Sequence, residues 1–183
     1  MGEAINLVEN FKVEKVIFNC GEFNDLEKEL IKVLVKKKIK YYSCINELDI
    51  DKNKLHFLQT KEYDNENDNS NVIYTELNGY KFMFMGDASV TTEKEILDKY
   101  NLPNIDVLKV GHHGSKTSSS KEFINEINPK YSIISVGKNN RYGHPNKEVL
   151  DTLNDSKIYR TDQDGSIMFK IKKDKLQIET CSP

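Results

Sequence analysis

The sequence predicts an α/β protein built on mixed sheets and covered by helices. Three observations carry that expectation. Helix-spaced apolar stripes alternate with short β-prone runs almost to the end of the chain. A single Asn-Gly pair, Asn78-Gly79, joins two β-prone runs into a hairpin within that alternation. The length, 183 residues, is that of one domain, so 1–183 is expected to form a single unit.

The elements follow in order. Ala4, Ile5, Val8 and Phe11 recur at helical spacing and open the chain with a short amphipathic helix. Val16-Ile17-Phe18 reads as a buried strand. Leu26, Leu30, Ile31, Leu34 and Val35 form a second helical stripe, with Asn24 or Asp25 as its cap. Strands are predicted over 39–42 and 54–59. Residues 62–70, EYDNENDNS, lack periodicity; without the Gly and closing Glu of a calcium loop they read as a solvated surface loop. VIYTEL and YKFMFM flank the hairpin turn, and the second run leads directly into Gly86-Asp87. Then come a helix over 92–100, a strand over 106–110, the loop GHHGSKTSSS, a helix over 121–127 and a strand over 131–136. The loop KNNRYGHPN and a helix over 147–153 follow. Two final strands, around Ile158 and over 166–172, enclose DQDG.

Composition narrows the classes. With 27 basic against 29 acidic residues the net charge is −2, which argues against a dedicated nucleic-acid binder but leaves room for a local basic site. No apolar run approaches the roughly 20 residues of a membrane span. The opening MGEAINLVENFKVEK has no uninterrupted apolar stretch and does not read as a signal peptide. Cys20, Cys44 and Cys181 lie far apart with no CxxC, so reduced thiols in a cytosolic setting are expected.

Chemistry-bearing residues gather after strands. Asp87 ends a β-prone run, either facing a ligand crevice or capping the turn that follows. His112 and His113 end another run; on an extended chain they would point to opposite sides, so one would face a metal while the other orients it or reaches substrate, or the two form a bonded structural pair. Ser115, Lys116, Thr117 and the serines behind them precede a helix, as an anion cradle or as a loop whose serine caps that helix. Arg141 could hold an anion and His144 could act as general acid or base, or their loop simply turns at Gly143 and Pro145. The shared position of all three groups, after a strand and before a helix, is what favours a site: in one sheet these loops would converge at one edge.

FMFMGDAS, DVLKVGHHGSKTSSS, ISVGKNNRYGHP and YRTDQDGSIMF together resemble, in this order, the metallo-β-lactamase-like domain of ComEC-type competence proteins. The resemblance covers roughly residues 2–172, and its GHHGS and YGHP motifs are specific. It implies a four-layer αββα sandwich and a hydrolase with two zinc or manganese ions acting on phosphodiesters. It also implies metal ligation by Asp87 and from the His112–His113 pair, of which one histidine ligates metal or contacts phosphate, catalytic roles for His113 and His144, and phosphate contacts from Ser115, Lys116, Arg141 and His144, with Lys109 adding charge.

One departure is large. The family's principal His-x-His-x-Asp-His motif is absent, because the only histidine before Asp87 is His56. Met1-Gly2-Glu3-Ala4 resembles the point just after that motif, so a sandwich lacking its first strands is expected, with no metal or one weakly bound metal. Two functions follow: an impaired metal-dependent phosphodiesterase or nuclease with DNA as substrate by analogy, or a non-catalytic remnant serving as an interaction module. Partners would be a second copy or the missing N-terminal segment. The expected compartment is the cytoplasm, or an extracytoplasmic one if the chain is part of a membrane-anchored competence protein.

Overall fold

A computed structural model describes residues 3–182; Met1 and Gly2, which open the expected junction with the missing motif, lie outside the described residues. Helix α1 (Ala4–Asn10) buries Val8, and α2 (Asp25–Lys37) buries Leu30 and Leu34. A capping box starts α2: Asn24 Oδ1 accepts from the Glu27 amide (3.0 Å), and Glu27 Oε2 accepts from the Asn24 amide (2.8 Å). Of the predicted stripe, Leu26 and Val35 stay exposed. Strands β1 (Lys15–Phe18) and β2 (Lys40–Ser43) pair in parallel, and among the described strands each has only the other as a neighbour. Phe18 joins Val8, Leu30 and Leu34 in a small core of its own.

The expectation of reduced thiols is overturned here. The β1–β2 register sets Phe18 level with Ser43, which brings the residues just beyond, Cys20 and Cys44, to a Cα separation of 4.4 Å, and they form a disulfide. Only the parallel pairing of two strands separated by a helix creates that proximity. Cys181 is free and exposed.

The main sheet has seven strands in sequential order: β3 (Glu47–Ile50), β4 (Asn53–Phe57), β5 (Ile73–Leu77), β6 (Tyr80–Phe84), β7 (Val107–Lys109), β8 (Tyr131–Ile134) and β9 (Lys157–Arg160). It is antiparallel from β3 to β6 and parallel from β6 to β9. The β5–β6 turn is the hairpin the sequence announces, with positive φ at Asn78 (49°) and Gly79 (81°). Side chains alternate across β6, β7 and β8. Met83, Leu108 and Ile134 face a core completed by α3 (Val90–Lys99), α4 (Lys121–Ile127) and α5 (Lys147–Thr152), through Ile96, Phe123, Ile127 and Val149.

Phe82 and Tyr131 point the other way. They meet Phe169 of the hairpin β10 (Ser166–Lys172) and β11 (Lys175–Cys181), with ring centroids 6.4 and 6.3 Å away. The Tyr80 hydroxyl ties the hairpin tip by donating to the Asp174 carbonyl and accepting from the Leu176 amide, both at 3.0 Å. Helices on one face and strands on the other make the α/β sandwich with a mixed sheet that the sequence predicts. Strands β3 and β11 escaped the reading: neither ELDI nor KLQIETC has a buried apolar face, and each is held by pairing at an edge. DQDG is also no simple loop, but a single helical turn, α6 (Thr161–Asp164), closed at Gly165.

Candidate active site

Parallel pairing of β6, β7 and β8 sends their C-terminal ends to the same edge of the sheet, so the three predicted loops do converge. Asp87 follows β6, His112 and His113 follow β7, and Arg141 and His144 follow β8. The two histidines are not on extended chain, as expected, but in a tight turn (Gly111–Gly114) with positive φ at both, 46° and 55°. That turn brings both rings toward the same edge, with centroids 6.5 Å apart.

His113 Nε2 lies 3.8 Å from Asp87 Oδ1, and His113 Nδ1 lies 2.7 Å from the Ser135 carbonyl. A carbonyl only accepts, so the neutral ring carries its proton on Nδ1 and presents the Nε2 lone pair toward Asp87. His112 Nδ1 sits 3.4 Å from the Thr117 hydroxyl. Its ring is 6.1 Å from that of His144, which stacks on Tyr142 at 5.8 Å. The His144 Nδ1 atom is buried and has no hydrogen-bond partner among the described residues.

Lys109 stands just before the histidine turn, its ammonium 3.1 Å from the Val110 carbonyl. Burial pulls its pKa down, and the Asp87 charge partly restores it. Arg141 is exposed; its guanidinium lies over the Tyr142 ring and donates to the Tyr142 hydroxyl (2.8 Å). A recess of about 490 Å³ is lined by Asp68, Asp87, His112, Lys116 and Thr117 among others. His113, His144 and Arg141 stand outside its lining.

At the end of the serine run, a serine serves as a helix cap. Ser120 caps α4 by accepting from the Phe123 amide, and the Ser119 and Ser120 amides donate to the buried Glu93 carboxylate at 2.5 and 2.8 Å. That carboxylate occupies the place an external anion would take; burial holds its pKa above the usual range despite those donors. Ser115 is buried, its hydroxyl 3.0 Å from Thr117 Oγ1, while Lys116 is exposed with its amide bound to Asn146 Oδ1 (2.9 Å).

Several supporting residues carry no sequence signal of their own. The 62–70 segment is the surface loop expected, with Glu62, Asp64, Asn65 and Glu66 exposed, but it turns one carboxylate inward. Asp68 is buried and accepts from the Ser89 amide (3.2 Å) and the Thr92 hydroxyl (3.0 Å) at the start of α3. Ser70 Oγ accepts from the Asp87 amide (3.0 Å). A charged loop folds inward here because the first turn of α3 has N–H and hydroxyl donors to satisfy. Asn140 brackets His144, accepting from its amide (2.9 Å) and donating to its carbonyl (2.8 Å). Its placement four residues before the histidine was the one clue available.

A catalytic zinc takes about three protein donors. Among the described residues no group of three His, Cys, Asp or Glu side chains is placed to hold a metal ion; Asp87 with His113 is the nearest approach to one. The residues described here therefore do not by themselves fit the two-metal centre implied by the resemblance. What they offer is a carboxylate, imidazole nitrogens and ammonium groups at one sheet edge, able to bind and orient an anionic ester and to hold or release a proton at His113 Nε2.

Comparisons with known proteins identify the family. The metallo-beta-lactamase superfamily matches over residues 23–138. The chain is 35% identical over 181 residues to ComE operon protein 3 of Bacillus subtilis, covering 94% of this chain and 23% of that protein. It is 37% identical over 119 residues to competence protein ComA of Neisseria gonorrhoeae, 62% of this chain and 17% of the relative. With recombination protein 2 of Haemophilus influenzae it shares 33% over 116 residues, 62% of this chain and 14% of the relative. The chain thus spans less than a quarter of the length of the curated relatives it matches. A sheet edge carrying Asp87, the His112-His113 turn and His144, together with these matches, makes the chain a member of the metallo-beta-lactamase superfamily, as a domain of the ComEC type.

Proposed function

We propose that this chain contributes part of the active site of a metal-dependent phosphodiesterase of nuclease type, with DNA as its substrate, and that it is impaired when alone. The observation that carries the proposal is the meeting of Asp87, His112, His113 and His144 at the ends of three adjacent parallel strands. In this reading Asp87, His112 and His113 are metal donors, completed by donors from a further segment or a second copy. His113 and His144 act on the reacting phosphate, while Ser115, Lys116, Arg141 and Lys109 bind its oxygens. The competence and recombination relatives support DNA as the ester, and the superfamily supports a metal in general terms; zinc or manganese is the expectation.

The shortage of donors favours a second reading, a non-catalytic interaction module. Calorimetric titration with zinc or manganese separates the two. The expected result is at most one weakly held ion on this polypeptide; two tightly bound ions would overturn the claim of incompleteness. In a longer polypeptide that supplies the His-x-His-x-Asp-His motif, Asp87→Ala and His113→Ala are expected to lower hydrolysis of a phosphodiester such as bis(p-nitrophenyl) phosphate by 100-fold or more, as on the order of 3 kcal/mol of transition-state stabilisation would. Activity left untouched by both substitutions would overturn the site assignment.

A further inference from the structure

A second recess, of about 390 Å³, opens where the C-terminal end of α3 meets β4 and β5. Tyr74, Tyr100 and Leu102 form its apolar wall and lean against the main core. The Tyr100 hydroxyl donates to the Gln59 carbonyl (2.9 Å) and so fixes that ring before any ligand arrives. His56 lies beside Tyr74, ring centroids 5.9 Å apart, and its Nδ1 is 3.1 Å from Glu47 Oε1. At the mouth stand the amides of Asn46 and Asn101. Neither side chain makes a hydrogen bond among the described residues, although Asn46 and Asn101 flank a largely apolar hollow.

These features select one ligand chemistry. Fixed aromatic and apolar faces accept a flat π-system by stacking. A free carboxamide offers an acceptor beside two donors, the pattern that pairs with the edge of a base. The volume falls within the range of about 300–1,000 Å³ typical of small-molecule sites. Glu47 sets the polarity: Lys54 beside it holds its carboxyl below the usual range, so it remains an anion at the rim. The Lys54 ammonium 2.6 Å away balances that charge, so the rim carries no excess positive charge to hold a phosphate, and the apolar hollow takes the ligand by its uncharged ring.

We propose that this recess is a nucleobase subsite, filled either by a free nucleoside or by one base of a single strand. The strand form rests on the phosphodiesterase reading above. Helix α3 starts at Val90, which lines the Asp87 recess, and its C-cap Tyr100 lines this one. At 1.5 Å per residue that is about 15 Å, the span of a few nucleotides.

The test is a binding titration on the purified chain, with chelator present and no added metal, followed by calorimetry or by chemical shifts of the tyrosine rings. One arm uses adenosine and thymidine; the other uses a six-residue oligodeoxyadenylate. Both are expected to bind, the oligonucleotide more tightly. Tyr74→Leu is expected to weaken nucleoside binding at least five-fold, as loss of one stacking contact would. Asn101→Ala, at an exposed residue with no structural bond, is expected to weaken it several-fold, which keeps the test independent of folding. Asp87→Ala should leave nucleoside affinity unchanged.

Binding of neither ligand would overturn the proposal. So would nucleoside binding that Asp87→Ala abolishes and Asn101→Ala spares, which would locate the base at the other recess. Oligonucleotide binding alone, unaffected by Tyr74→Leu and Asn101→Ala, would reduce the interaction to backbone contacts and also overturn it. Nucleoside binding without oligonucleotide binding would keep the subsite and remove the strand. Because no arm measures hydrolysis, failure of the phosphodiesterase reading leaves each of these outcomes readable.

Discussion

Asp68 shows how one side chain supports the site through the start of α3. Burial pushes its carboxyl up, but hydrogen bonds from Ser89, Thr92 and Asn65 together outweigh burial and hold it below the usual carboxylate range. A carboxyl depressed in the folded state adds stability above its unfolded value, and that stability is lost as the pH falls through the folded one. Asp68→Asn is therefore expected to cost about 1 kcal/mol at neutral pH, the worth of a helix-end contact, and to flatten the acid limb of the stability curve. Urea midpoints measured from pH 7 to pH 3 check this; an unchanged acid limb would dissociate Asp68 from α3. Gly114 makes a second residue-scale case. Its φ is +79°, and an added Cβ would lie 2.6 Å from Pro145 Cβ. Gly114→Ala should thus cost about 2 kcal/mol or more and push the His144 loop away from the histidine turn. A midpoint within error of the unsubstituted chain would refute that close approach.

Among the elements, the β1–β2 pair departs most from what the sequence discloses. Each strand is legible from its run of β-prone residues, but their parallel pairing is not, and the disulfide depends on it. Cys20 and Cys44 are 24 residues apart, and closing such a loop stabilises by about 3 kcal/mol in the chain-entropy account. Thiol labelling of the native chain should find one reactive cysteine, Cys181, and reduction should lower the thermal midpoint by several degrees. Three reactive thiols in unreduced protein would refute the bridge. Disulfides persist in oxidising compartments. The cytoplasmic expectation rested in part on reading all three cysteines as thiols, and for Cys20 and Cys44 that reading does not hold. The elements with internal signals were easier to read. The Asn78-Gly79 hairpin and the helix over 121–127 stand where their turn chemistry and apolar spacing put them.

At the scale of the molecule, the meeting of the three loops was legible because it needs only the strand–loop–helix order and parallel pairing. The contacts that hold those loops were not. Ser70 on Asp87, Asn140 around His144 and Glu93 under the serine run join positions 4 to 27 residues apart, through polar side chains no different from their surface neighbours. Exposed Leu7, Phe11, Leu26 and Val35 on and beside α1 and α2, with outer edges of β1 and β2 that pair with no other described strand, suit association with another chain. Light scattering at increasing concentration should show self-association, and Leu26→Lys with Val35→Lys should suppress it. Among the described residues no helix is long and apolar enough to cross a membrane.

The hairpin of β10 and β11 holds none of the candidate site residues, yet Phe169 roofs Phe82 and Tyr131 on the two strands that flank β7. A nonsense codon just after Gly165 would spare every residue proposed for chemistry and still uncover the aromatic face of the sheet. Genetic screens should accordingly recover such alleles as loss of function with the product in inclusion bodies, and a mutation map would mark the codons of this hairpin as no less essential than the histidine codons.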